Sequence, residues 1–189
     1  RKAPRNVAMS TIKGFFGLTG LVRSTSAVST KRTLPTAPAR TMSSSWDLFS
    51  NHFDKFKASL YDGKKLETFA KKHHWNRNWN FTNELQQENV IVITDTNLNI
   101  VFASQNIIEM TGYSSEEIIG QNPKMFQGKE TSLQELQSIR EAIHLQKPFE
   151  RTIVNYKKNG KPYLCKIKGF PVFNSEKELV NFVAFEKAA

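Results

Sequence analysis

The sequence holds a single cysteine, Cys165, in 189 residues. That excludes an internal disulfide framework and any CxxC zinc or redox motif, and it suits a reducing compartment. Long apolar runs are also missing. The longest in the N-terminal part, GFFGLTGLV, is about half of the roughly 20 residues that a spanning helix needs, so no transmembrane helix is expected. No Gly-rich phosphate loop, Ser-His-Asp set or paired-carboxylate motif stands out, so catalysis has no residue set to attach to and no enzyme is expected. The histidines His52, His73, His74 and His144 have no zinc-like spacing with a third ligand. The adjacent pair diverges on a helix, and neither a metal site nor haem is expected.

Acids are absent from residues 1–46, which carry eight of the 27 basic residues. The remainder has 19 basic against 17 acidic residues, so the net charge of +10 belongs to the tail. Residues 1–43 therefore read as a disordered, basic, transit-peptide-like tail. Two other readings stay open, sequence upstream of a start at Met42 and a functional basic arm. Specific nucleic-acid binding is not expected, because Phe15 and Phe16 are the tail's only aromatic residues. The expected location is soluble and intracellular: cytoplasmic, or a mitochondrion or plastid if residues 1–41 are a transit peptide.

What is present is a core-forming composition, 39% hydrophobic with fourteen Phe, enough for one ordinary domain. Trp46, Phe49, Phe53, Phe56 and Leu60 recur at steps of three and four, which places them on one face of a helix that Gly63 is expected to stop. Leu66, Phe69 and Ala70 continue in a shorter helix. Residues 44–80 are thus read as a pair of amphipathic helices, whose aromatic face must cover the following domain or a partner chain.

Residues 88–187 alternate in type. VIVIT (Val90 to Thr94) and NIVFAS (Asn99 to Ser104) read as a strand pair joined by DTNL. Short helical pieces follow, with capping-box spacings at Ser114 and Glu117 and at Ser132 and Glu135. The second opens a longer helix lined by Leu133, Leu136, Ile139 and Ile143 and ended by Pro148. Asn159-Gly160 then sits between two alternating runs, a hairpin signal in which both turn residues take positive φ. A last strand, LVNFVAFEK, closes the order β-β, helices, β-β-β, an α+β fold with an antiparallel sheet and helices on one face.

This order, with MTGYSSEEIIGQNP, NYKKNGKPY and FVAFEK, resembles the PAS family of sensory domains in its S-box form, close to the flavin-binding light-oxygen-voltage branch. The resemblance covers residues 88–187. It implies a PAS fold whose five-stranded antiparallel sheet and short helices enclose a small-molecule pocket, and a role in signalling by shape change or partner exchange. The photoactive branch carries a pattern like Gly-x-Asn-Cys-Arg-Phe-Leu-Gln-Gly, in which the Cys bonds to the flavin. Here Gly120, Asn122, Lys124, Met125, Phe126, Gln127 and Gly128 match it, and Pro123 stands where the reactive Cys would. Proline has no nucleophilic side chain, so thiol photochemistry at this position is excluded.

Asn155 matches a family position that bonds the flavin ring, but the second Asn of that pattern falls on Cys165 and the strand Gln on Glu186. Period-two reading turns Tyr163, Cys165 and Ile167 inward, with Lys166 and Lys168 facing water. The candidate pocket residues are therefore Asn122, Gln127, Asn155, Cys165 and Glu186. The three amides either bond a ligand or tie turns to backbone. Cys165 is either a ligand-facing thiol or a small core residue. Glu186 must lie at the rim, be paired or be protonated. The ligand itself is unknown, with FMN or FAD as the lesser alternative. No kinase, cyclase or DNA-binding segment follows the last strand in this sequence, so a stand-alone module acting on a second copy or on an effector protein is expected.

Overall fold

Five strands pair antiparallel in the order β2-β1-β5-β4-β3: β1 Val90–Thr94, β2 Ile100–Ala103, β3 Phe149–Tyr156, β4 Pro162–Phe173 and β5 Leu179–Ala188. The computed structural model describes residues 43–189. The basic tail expected over residues 1–43 lies, but for Ser43, outside them. Between β2 and β3 run α3 (Ile107–Thr111), α4 (Ser115–Ile118), a 3-10 turn (Pro123–Phe126) and α5 (Leu133–His144). The strands and helices come in the expected order, with β2 starting one residue later than its β-branched run.

Local signals explain most of the boundaries. Asp95 makes the first hairpin turn by accepting from the Asn97 and Asn99 N–H groups at 2.9 and 2.8 Å. Ser114 and Glu117 close the full capping box of α4. Ser132 makes only its own half at α5, because the Glu135 carboxylate turns to Arg151 on β3 at 3.3 Å. The Asn159-Gly160 hairpin forms with a different turn from the one expected. Gly160 has φ of +80° while Asn159 keeps negative φ, and Gly160 N–H donates to Lys157 O at 2.8 Å. This is a three-residue loop with glycine at its left-handed position.

Two helices do precede β1, but not where residues 44–80 placed them. Helix α1 runs unbroken through Gly63, from Ser43 to Lys72, and the second helix, α2, is Phe81–Gln86. Gly63 serves packing: a Cβ there would lie 2.4 Å from Thr82 Oγ1 of α2. The glycine thus lets the two helices approach, and with helix-forming neighbours on both sides the backbone stays helical.

The sheet has an apolar layer on each face. On the outer face, Ile91, Ile93, Val172, Val183 and Phe185 meet Leu66, Ala70, Trp75, Phe81 and Leu85 from the helical segment. On the inner face, Val90, Val92 and Cys165 meet Ile107, Met110, Ile118 and Phe126. Each fully buried aliphatic or aromatic side chain contributes about 1.5–3 kcal/mol. Both layers are needed, since β1 and β5 are buried on both sides.

Candidate functional site

Strand register sets the polar residues of the inner face. Thr94 pairs with Phe182 and Val92 with Ala184 on β5. Ile167 pairs with Glu186, and on β4 and β3 Cys165 faces Ile153 and Tyr163 faces Asn155. Alternation turns Thr94, Glu186, Cys165, Tyr163 and Asn155 to the side where α3, α4, the 3-10 turn and α5 lie. Between these layers is a cavity of about 140 Å³, walled by Thr94, Asn155, Ile167 and Glu186 on the sheet side and by Asn122, Gln127 and Leu136 on the helical side. Gly169 belongs to the same wall, where a Cβ would come within 2.3 Å of the Phe149 ring. The missing side chain is what lets that ring lie across the strand.

The structure brings four of the five candidates to the cavity, and it separates their roles. Asn122 spends its Oδ1 on Lys124 N–H at 3.0 Å, as the N-cap of the turn that Pro123 begins. Gln127 caps the other end through its backbone N–H and keeps a half-buried side chain on the wall. Asn155 is 3% exposed, and its Oδ1 has no hydrogen-bond partner. An unsatisfied buried acceptor costs about 1–3 kcal/mol, so a donor in the cavity would be bound favourably. Cys165 is fully buried and lies behind the wall.

Glu186 is 8% exposed, which removes the rim alternative. Among the described residues no cation lies within ion-pair distance of it. Its contact is the Cys165 thiol, which donates to Oε2 at 3.6 Å. Burial pushes the Glu186 carboxyl up to about 7, against a smaller lowering by that thiol. Burial, reinforced by the neighbouring Glu186, pushes the Cys165 thiol up, so it is the neutral donor of the pair. With no cation beside it, burial favours the protonated form of the acid up to about neutral pH.

One wall group, Thr94, was not read from the sequence, and Tyr163, read as facing inward, adds a second buried hydroxyl on the same face of the sheet. Thr94 Oγ1 is buried without a partner, and the hydroxyl at the end of VIVIT, in phase with Val90 and Val92, was the available signal. The Tyr163 hydroxyl is also buried without a partner at hydrogen-bond geometry, beside Asn155 and Cys165, and burial pushes its pKa up. Lys124 and Arg140 add two cations to the lining. Arg140 follows Leu136 by one helical turn on α5, a spacing that carries no polar signal of its own.

An antiparallel sheet enclosing a polar-edged cavity under short helices is the architecture of the PAS-type sensory domains. The PAS domain family matches residues 88–187, and the chain belongs to it. The Arabidopsis thaliana protein TWIN LOV 1 is 42% identical over 88 residues, 46% of this chain and 22% of that protein. A blue-light-activated histidine kinase of Brucella abortus is 35% identical over 85 residues, 45% of this chain and 17% of the kinase. The chain therefore spans about a fifth of the curated relatives it matches. Among solved structures, the light state of the blue-light photoreceptor Aureochrome1 LOV has a TM-score of 0.51 at 30% identity, covering 53% of this chain and 80% of that one. A light-oxygen-voltage domain studied through a flavin analogue has a TM-score of 0.55 at 24% identity, covering 59% and 86%, a likeness of fold.

A flavin can be tested against this lining. Asn155, Thr94 and a protonated Glu186 suit the polar edge of a ring, and Lys124 and Arg140 suit a phosphate. The space does not suit it. A cavity of about 140 Å³ is close to one that takes a single benzene ring, and below the roughly 300 Å³ where pockets for larger ligands begin. A three-ring flavin does not fit the cavity as built.

Proposed function

We propose that this PAS domain is a sensory and protein-interaction module that answers a small ligand in the inner cavity and works without flavin–thiol photochemistry. The observation that carries this reading is the pair of buried, unpartnered polar atoms, Asn155 Oδ1 and Thr94 Oγ1, on the sheet-side wall of the cavity. An acceptor and a hydroxyl without partners, beside a carboxyl held near neutrality, favour an uncharged ligand with at least one N–H or O–H. Pro123 sits on the same wall and offers no nucleophile. Output passes through the helical segment to another protein or to a second copy, because α1 presents apolar side chains to solvent.

A second reading is favoured by the blue-light relatives: flavin bound without thiol chemistry, which requires the helical wall to move outward. The absorption spectrum of the purified protein, before and after incubation with FMN or FAD, separates the two. A ligand-bound protein without a flavin band supports the first reading. A stoichiometric flavin band replaces it with the second.

A further inference from the structure

We propose that Phe149 selects the ligand by size. With its ring over Gly169 the cavity takes one ring; turned out, it leaves room for a flat molecule of two fused rings bearing an O–H or N–H. This rests on the reading of the inner cavity as a ligand site, and it adds the ligand's shape and the residue that limits it. One cross-strand row of the inner face runs Phe149, Gly169, Ala184 and Val92, on β3, β4, β5 and β1. All four line the cavity. The two central residues have almost no side chain, so the floor between Phe149 and Val92 is close to bare backbone.

The floor has polar ends. Along β5 the inward neighbours of Ala184 are Glu186 on one side and Phe182 on the other, and Phe182 pairs with Thr94. Four residues of strand, about 13 Å, separate Glu186 from Phe182, which is room for two fused rings lying flat. At the other end Thr94 is 7% exposed, and its hydroxyl has no partner. A bare floor alone is a packing detail, whereas an unsatisfied buried hydroxyl beside it calls for a ligand that carries a donor or an acceptor.

The Phe149 ring covers this floor but is not locked to it. The first three atoms that a Cβ at Gly169 would meet all belong to that ring. Phe149 is the first residue of β3, it is half-buried, and it belongs to neither apolar layer of the sheet. Among the described residues no other ring stacks on it. Core side chains are held by interdigitating neighbours. A ring resting on backbone at a strand end lacks them, so a change of χ1 carries it towards solvent. The helical wall has less freedom, because Arg151 ties β3 to α5 through Ser138 at 2.9 Å and Glu135 at 3.3 Å. A cavity of about 140 Å³ takes one ring, and the volume that Phe149 vacates takes a second.

Calorimetric titration of the full chain with phenol and with 2-naphthol, one ring and two with the same hydroxyl, tests the proposal. Wild type binds phenol and binds 2-naphthol more weakly. Phe149→Ala gains at least about tenfold in affinity for 2-naphthol and changes far less for phenol. Gly169→Ala in the Phe149→Ala background puts a methyl on the floor and takes back most of that gain, which a loosened protein would keep. A 2-naphthol affinity that Phe149→Ala leaves unchanged overturns the proposal, as does a gain that survives Gly169→Ala. Loss of the near-ultraviolet circular dichroism of wild type in Phe149→Ala also overturns it, since the ring would then be a core residue. Phenol bound by wild type, with no effect of Phe149→Ala on either probe, sinks only this proposal. A protein that binds neither probe in either form, and has bare chain mass, sinks the ligand reading with it.

Discussion

Trp75 and Asn181 are joined by a buried hydrogen bond, indole Nε1–H to Oδ1 at 3.0 Å. The same Asn181 donates from Nδ2 to the Thr94 carbonyl at 3.0 Å. Thr94 in turn places its unpartnered hydroxyl on the cavity wall. One amide thus connects the helical segment on the outer face of the sheet to the residue that faces the ligand space on the inner face.

Removing that amide leaves the indole N–H buried without a partner and takes one donor from the Thr94 carbonyl. Asn181→Leu is expected to lower the unfolding free energy by about 2–4 kcal/mol in a denaturant titration. Trp75→Phe leaves only the Asn181 Oδ1 orphaned, at about 1–3 kcal/mol plus the lost apolar area. The double variant should lose at least about 1 kcal/mol less than the sum of the two. Strict additivity would show that the bond contributes nothing.

Glu186 makes stability depend on pH. Its folded value of about 7 stands above the ordinary 4.5, so the folded state holds a proton that the unfolded state has given up. Its contribution is therefore fully present below about 4.5, falls as pH rises, and is lost above about 7. Glu186→Gln should match wild type near the acid end of this window and exceed it at mildly alkaline pH, by up to about 3 kcal/mol. Equal stabilities at both ends would show that the carboxyl is not held protonated by burial.

Gly63 tests the close approach of α1 and α2. In a Thr82→Ala background, Gly63→Ala is expected to gain about 1 kcal/mol from helix propensity. In wild type the new Cβ meets Thr82 Oγ1, and the gain should vanish. The same gain in both backgrounds would mean that the two helices can separate at no cost.

Where this fold was legible, local chemistry decided it. The strands alternate between a buried layer and water, and Ser114 with Glu117 states the start of α4 in four residues. Gly63 misleads because its meaning lies in Thr82, on another element, and a sequence read locally sees only a helix breaker. The site divides in the same way. The family resemblance placed Asn155 and Glu186, and strand phase turned Tyr163 and Cys165 inward, whereas Asn122 is spent on its own turn, and whether an amide faces a ligand or a backbone N–H depends on geometry. Cys165 reads first as a small core residue, and its contact with Glu186 is visible only once the register of β4 and β5 is known.

Asn155 offers the most economical test of the cavity. Asn155→Leu removes an acceptor that has no partner within the protein, so the ligand-free stability should hold or rise while ligand affinity falls by at least about tenfold. A variant that unfolds would place Asn155 among the structural amides instead.

The central claim is that the cavity holds a small molecule and does no flavin–thiol chemistry. A native mass spectrum of the full chain, read with its absorption spectrum before and after blue illumination, tests it most directly. The account predicts extra mass on wild type that Asn155→Leu loses, without light-dependent loss of absorption. A protein at bare chain mass, or a flavin band that bleaches in blue light and recovers in the dark, would contradict it.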